Sequence, residues 1–315
     1  MTRERTDKPF LGTLPGLILG CLVSCGLWGS AYPCVKIGYE LFGITGSDVA
    51  SRLVFAGTRF TIAGIMVVVG VSIAQRRALL PAKRDLGAIG ILALFQTVLQ
   101  YFFFYGGLSH AAGVTSSIIG AAAYFFAILF AALIFKTENL TRKAVIGCTI
   151  GFAGVVLVNL GGSGDAAFSF ALNGEGFILL SSVAGAISTC FIAVLGRTHD
   201  SVLLSGWQFV TGGIVLLGCG LAMGGSLCPI SPGPALALIL YMGFISAMAY
   251  TLWSRLLAAN PVSRVSIFGF MTPVFGAAMS AVLLGETDAV NPLFALIALA
   301  LVSAGIVIVN RPNSQ

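Results

Sequence analysis

The chain has 315 residues, of which 57% are hydrophobic and 9% charged, with a formal net charge of +6. Soluble domains carry roughly 25% charged residues, so a water-soluble globular class is excluded. A membrane β-barrel is excluded as well, because its short alternating segments of about ten residues do not occur here.

What remains is a polytopic helical membrane protein. A span needs about 20 mainly apolar residues to cross the hydrocarbon, and such stretches follow one another along the chain. The basic segment MTRERTDKPF precedes an apolar run longer than a signal-peptide core and without a small-x-small cleavage site, which predicts a retained first span. Hydropathy then places ten helices, at 14–36, 49–74, 86–108, 115–135, 142–161, 175–196, 202–223, 234–255, 264–284 and 291–310. Forty glycines suit close approach of helix backbones where lipid gives no hydrophobic drive for association. The seven cysteines lie scattered, mostly in apolar segments and without CxxC spacing, and read as small apolar packing residues.

Charge tests the helix count, since Lys and Arg concentrate in cytoplasmic loops. With the N-terminus inside, Arg3, Arg5, Lys8, Arg76, Arg77, Lys83, Arg84, Lys136, Arg142, Lys143, Arg197, Arg255, Arg264 and Arg311 fall inside, and only Lys36 and Arg52 outside. The acids Glu40, Asp48, Asp165, Glu175, Glu286 and Asp288 fall outside. This predicts an even number of spans with both termini cytoplasmic, and it assigns the net charge to topology rather than to nucleic-acid binding.

The stretch PVSRVSIFGFMTPVFGAAMSAVLLGE, 261–286, repeats the plan of GVTSSIIGAAAYFFAILFAALIFKTE, 113–138. An offset of 148 positions carries Glu138 onto Glu286, Thr115 onto Ser263 and Tyr105 onto Trp253. Five helices per half is an odd number, so two similar halves must lie upside down relative to each other. The expected organisation is a first five-helix repeat at 1–160, a linker at 161–174 and a second repeat at 175–315.

Inverted repeats place their substrate sites where the halves meet, near the bilayer midplane and beside interrupted helices. Pro33 offers no N–H to the carbonyl of Gly29, and Pro273 none to that of Gly269, so both points are either hinges or static kinks healed by Ser30 or Thr272. Polar and aromatic groups at mid-depth are costly in lipid unless paired or facing water. Gln96 and Gln100 share one helix face, Tyr101 and Tyr105 an adjacent one. Trp28, Ser30, Tyr32 and Tyr124 complete the first-half set. The second-half set is Ser182, Ser188, Thr189, Trp207, Gln208, Thr211, Ser246, Tyr250, Trp253 and Thr272. Each is read either as cavity lining or as glue between helices. Arg59 lies deep in the second helix and requires a partner, whether an anionic substrate group, helix-end carbonyls or outer carboxylates. Arg52 has Asp48 one turn before it as the expected local partner. All eleven acids fall in loops or at helix ends, where Glu138 and Glu286 suit anchoring or gating; His110 is a further titratable candidate. No enzymatic, metal-binding or cofactor-binding constellation is present in the sequence.

The segments WGSAYPCVKIG, TRFTIAG, GVTSSIIG, MTPVFGAAMSAVLLGE and the ending GIVIVN resemble the EamA-type carriers of the drug/metabolite transporter superfamily. The resemblance covers nearly the whole chain. It implies export or exchange of small metabolites through a central cavity lined by helices one to four and six to nine, with helices five and ten bracing the outside. It also implies cavity roles for Trp28, Tyr32, Gln100, Tyr101, Trp207, Gln208 and Tyr250, and it matches Arg59 to the family's arginine in helix two. Two departures stand out: Phe125 occupies the position of the family's proline in helix four, and KTE at 136–138 replaces LGE, so the first half is expected to be the stiffer gate. The combined expectation is a secondary carrier of a bacterial inner membrane, working by alternating access on a small polar or amphipathic metabolite such as an amino acid, with lipid and substrate as its partners. A sugar-phosphate or nucleotide-sugar exchanger and a non-transporting sensor or scaffold are the alternatives.

Overall fold

The structure, a computed structural model, describes residues 10–108, 110, 113–160, 171–284 and 292–311. The described residues are helical throughout, in α1 (Leu14–Leu41), α2 (Val49–Gln75), α3 (Lys83–Leu108), α4 (Gly113–Leu133), α5 (Arg142–Leu160), α6 (Leu172–Leu195), α7 (Ser201–Ala222), α8 (Pro232–Ala259), α9 (Val262–Leu283) and α10 (Pro292–Asn310). By length and composition α1, α2, α3, α6, α7, α8 and α9 can each cross a membrane. Most of the linker read at 161–174, and Glu286 with it, lies outside the described residues.

Local chemistry sets several boundaries. Asp48 caps α2 by accepting from Ser51 N–H at 2.9 Å, and Asp200 caps α7 by accepting from Val202 N–H at 2.8 Å. Two helices run beyond the apolar stretches that reveal them in the sequence. α8 continues to Ala259 and stops because Pro261 forces Asn260 into an extended conformation (φ −136°, ψ 157°). α1 continues to Leu41 and ends before Gly43, whose φ is +62°.

Three helices are irregular. α3 contains a π-helical stretch at Ala93–Leu99, and α6 opens with a π-helical stretch at Leu172–Gly176. α9 narrows to a 3₁₀ stretch at Ile267–Phe270, immediately before Pro273. The interruption in α9 lies where the missing proline N–H was expected to loosen the helix.

The packing follows one symmetric scheme. α2 lies along α7 and α5 along α10; α1 packs on α9 and α8, while α6 packs on α4 and α3; α2 also meets α8 and α7 meets α3. Exchanging the first five helices with the last five maps α2–α7 and α5–α10 each onto itself and each of the other pairs onto another of them. The tightest crossing, α2 with α7, is made by glycine. A side chain at Gly213 would reach to 2.6 Å from Thr61 Oγ1 and 3.0 Å from the Gly57 carbonyl, and one at Gly220 would reach to 2.7 Å from Val54 N. Five of the seven cysteines are buried, as packing residues should be.

The α2–α7 crossing predicts that Gly213→Leu lowers the thermal midpoint of the purified protein by overpacking worth about 1–3 kcal/mol or more. Gly218→Ala, at a position with nothing within 4 Å of the added carbon, leaves the midpoint unchanged. Equal melting of both variants in a detergent thermal-unfolding assay contradicts this account of the crossing.

Candidate functional site

Arg59 sits two and a half turns into α2 and is only 5% exposed. The sequence left its partner open among three possibilities. Among the described residues no carboxylate reaches ion-pair distance, and Nε has no hydrogen-bond partner. The guanidinium lies over the Phe60 ring, 4.4 Å from its centroid, and 5.8 Å from that of Tyr101. The phenols of Tyr105, Tyr101, Tyr250 and Tyr39 stand within electrostatic reach. Aromatic faces stabilise a desolvated cation by about 2 kcal/mol, whereas insertion of a central Arg costs about 2.5–3.5 kcal/mol. A positive charge is therefore held between the halves with its full counter-charge still missing.

Side chains from both halves frame that charge. The Tyr101 and Tyr250 hydroxyls share a hydrogen bond of 2.6 Å, joining α3 to α8. Trp28 packs edge-on against Tyr250 (4.9 Å) and Trp253 (5.0 Å), and Phe209 stacks on Phe60 at 5.2 Å and meets Tyr250 at 4.9 Å. Tyr32 is 46% exposed, its ring lies against Gly276 of α9, and its hydroxyl stands within electrostatic reach of those of Tyr101 and Tyr124. Tyr124 lies against Gly269 and packs edge-on against Phe270 at 5.6 Å. Of the sequence candidates, Trp28, Tyr32, Tyr101, Tyr124, Tyr250 and Arg59 are thus brought into one region.

The remaining candidates are engaged elsewhere. Trp207 donates its indole N–H to the Leu79 carbonyl at 2.8 Å and so ties α7 to the α2–α3 connection. Gln208 is fully buried and accepts from the Thr97 hydroxyl at 2.7 Å, with its amide nitrogen unpartnered. Gln96 borders a small cavity with Gly196, Ser201, Ser205 and Ser254, beside the α6–α7 turn. Gln100 lies against Gly185 of α6, and its carbonyl accepts from Ser181 at 2.7 Å.

The hinge glycines make different contacts, Gly29 with α9 and Gly269 with Tyr124 of α4. Gly29 is pressed against Phe275 and Gly276 of α9, Gly276 in turn receives the Tyr32 ring, and Pro33 and Pro273 flank the contact. Neither hydroxyl expected to heal the kinks does so: Ser30 donates to Leu27 O at 2.8 Å, and Thr272 Oγ1 has no hydrogen-bond partner. In the 3₁₀ stretch of α9 the Phe268 carbonyl instead accepts from Cys25 Sγ of α1 at 3.2 Å.

At one end of the bundle Glu138, just beyond α4, caps the start of α9. Its two oxygens accept from Ser263 N–H at 2.9 Å and from the Ser263 hydroxyl at 2.8 Å. Burial raises the Glu138 pKa above its ordinary value, opposed by the Ser263 hydrogen bonds and by Arg197. α4 meets α9 along Val262–Phe270, whereas Met271–Leu283 packs on α1. Asp48 is a correction to the sequence reading. Its oxygen is taken by the Ser51 amide of the helix cap, it forms no ion pair with Arg52, and that bond is the largest cause holding its pKa down.

Sequence reasoning missed Phe60, Phe209 and Tyr39 because an aromatic residue in an apolar helix carries no signal of which neighbour it faces. The π stretch at Ala93–Leu99 was equally silent, since no proline or glycine marks it.

Comparison with known proteins places this arrangement. The model of the EamA-like transporter family matches residues 14–160 and 172–311. The chain is 25% identical over 294 residues to a probable terminal-alkyne amino-acid exporter of Streptantibioticus cattleyicolor, covering 90% of each chain. It is 26% identical over 298 residues to a WAT1-related chloroplastic protein of Arabidopsis thaliana, covering 91% of this chain and 68% of the other. An uncharacterized inner membrane transporter of Escherichia coli, YedA, is 24% identical over 301 residues, with 90% and 86% covered. A solved crystal structure superposes with a TM-score of 0.76 at 18% identity, over 95% of this chain and 97% of that one, which shows a shared fold. With its row of membrane-crossing helices and a family match along nearly its whole length, the chain is a multi-pass membrane protein that belongs to the EamA-like transporter family.

Proposed function

We propose that the protein is a secondary carrier that exports or exchanges small carboxylate-bearing metabolites, amino acids or related amphipathic compounds, across a bacterial inner membrane. Arg59 carries the reading: a buried cation between the two halves, ringed by aromatic faces and without a protein carboxylate. A cargo carboxylate supplies the missing charge through charge-assisted hydrogen bonds. Trp28, Tyr32, Tyr124 and Tyr250 offer flat apolar faces with polar tips, suited to an amphipathic body. The similarity to an amino-acid exporter supports the same substrate class. Nucleotide sugars and sugar phosphates remain the second reading, favoured only by the presence of the cation itself.

In this proposal ten spans form two inverted repeats of five, with both termini cytoplasmic, and the symmetric helix pairing supports that arrangement. The Glu138–Ser263 cap then lies at the cytoplasmic face and closes it, Glu286 has the corresponding outer role, and α9 bends between Gly269 and Pro273 to exchange one closure for the other. The protein acts on the substrate by binding and release, with no enzymatic step or cofactor.

Three outcomes test this reading. In proteoliposomes given labelled amino acids, nucleosides and sugar phosphates, carboxylate-bearing compounds flow and Arg59→Gln lowers their flux about 10- to 100-fold, the cost of losing a charged hydrogen bond. No flux of any compound refutes the carrier, and flux of phosphate esters alone promotes the second reading.

The pH response has a definite sign. Glu138 has a raised pKa while it caps α9 and an ordinary one once exposed, so proton uptake favours the closed cap. That contribution is complete below the ordinary value and is lost as pH rises through the raised one. Accessibility of a cysteine placed at Arg197 to a cytoplasmic-side reagent accordingly increases with pH, and Glu138→Gln flattens the response. An unchanged pH profile in that variant removes Glu138 as the titrating group.

Pro273→Ala returns an N–H to the Gly269 carbonyl and stiffens α9. Turnover falls several-fold while the half-saturating substrate concentration holds; unchanged turnover removes the hinge.

A further inference from the structure

A second buried arginine lies on the same face of α2 as Arg59, seven residues earlier and about 10 Å along the axis. Arg52 is 6% exposed, and both Nε and Nη1 lack a hydrogen-bond partner. Asp48, the carboxylate that the sequence offers it, gives one oxygen to the Ser51 amide and acts on Arg52 only through space, without an ion pair. The guanidinium lies over the Tyr39 ring at 5.1 Å, and the α1–α2 turn passes it at Gly46, where a side-chain carbon would come within 3.6 Å of Nη2. A buried cation with unfilled donors is expensive unless an anion visits it.

Arg52 is connected to the central site. Tyr39 Oη, also buried, lies beside the Tyr105 hydroxyl and stands within electrostatic reach of both Arg52 and Arg59. Tyr39, Tyr101, Tyr105, Phe60 and Tyr250 belong to one continuous packed cluster running from the α1–α2 turn to the centre. Arg52, Tyr39 and Arg59 are thus connected through one cluster of aromatic side chains.

We propose that Arg52, with Tyr39, forms an outer anion subsite that receives the carboxylate of a cargo as it passes between Arg59 and the outer face. This rests on the carrier reading above and extends it. Two sites in series let the carboxylate transfer from one guanidinium to the next without returning to an unpaired state in the hydrocarbon. The phenol between them bridges the step by donating to the moving oxygen.

The test uses phenylglyoxal, which modifies unpaired guanidinium groups, on the full protein in zwitterionic-lipid nanodiscs, with modification read at Arg52 and Arg59 by peptide mass spectrometry. Benzoate is the carboxylate probe, benzamide its uncharged counterpart, and inorganic phosphate and anionic-lipid nanodiscs are the competing arms. The expected result is that benzoate slows modification of Arg52 at least about fivefold, that benzamide does not, and that the protection persists in Arg59→Gln. If that variant does not fold, the wild type decides: separate subsites give different half-protecting benzoate concentrations for the two arginines. Failure of Arg52 to react, modification indifferent to benzoate, or coincident protection curves overturn the proposal. Protection by phosphate or anionic lipid without protection by benzoate overturns the carboxylate assignment. Liposome flux is independent of this measurement, so protection without flux removes the carrier and keeps the subsite, while flux without protection does the reverse.

Discussion

A positive charge held in a medium that cannot solvate it is the constraint around which the rest of the molecule is arranged. Packed helices leave Arg59 only 5% exposed and the described residues give it no carboxylate, so aromatic neighbours make that charge tolerable. Phe60 and Tyr101 present ring faces, and the surrounding phenols present oxygen dipoles. These aromatics come from α2, α3 and α8, and Phe209 from α7 backs Phe60. The electrostatic problem on one helix is thus solved only by bringing both halves together.

That meeting depends on close backbone contact. Glycines at 57, 213 and 220 let α2 and α7 approach until side-chain carbons would strike backbone atoms, and Phe60 of α2 stacks on Phe209 of α7. The Gly29–Gly276 contact does the same for α1 and α9 and brings Tyr32 inward. α2 and α7 are held by this close contact, whereas α9 is interrupted by its 3₁₀ stretch. The Glu138 cap holds the start of α9 by two hydrogen bonds, in a position where burial raises the Glu138 pKa.

The helices were legible in the sequence to within a few residues because hydropathy measures the one requirement that lipid imposes on every span. The α9 interruption was legible too, since Pro273 removes a specific N–H. The π stretch in α3 was not. Its Ala93 and Thr97 pack against Gly212 and Gln208 of α7, a relation between distant residues with no local mark. Trp207 and Gln208 show the same limit from the other side. Each looks like cavity lining in a linear reading, yet the indole N–H is taken by Leu79 and the amide oxygen by Thr97. Asp48 had two roles open to it, helix cap or partner of Arg52, and only its orientation shows that the cap prevails.

The sequence by itself determined the class and the apolar helices, because composition and periodic hydropathy act along the chain and need no knowledge of neighbours. It also singled out Arg59, since a charge in an apolar stretch is conspicuous wherever the stretch lies. Only the tertiary structure decided which aromatic residues surround that arginine, which polar groups are satisfied by glue between helices, and that Arg52 is left without its nearest carboxylate. Those outcomes turn on distances and directions between residues far apart in the chain, set by how closely glycine lets the helices approach.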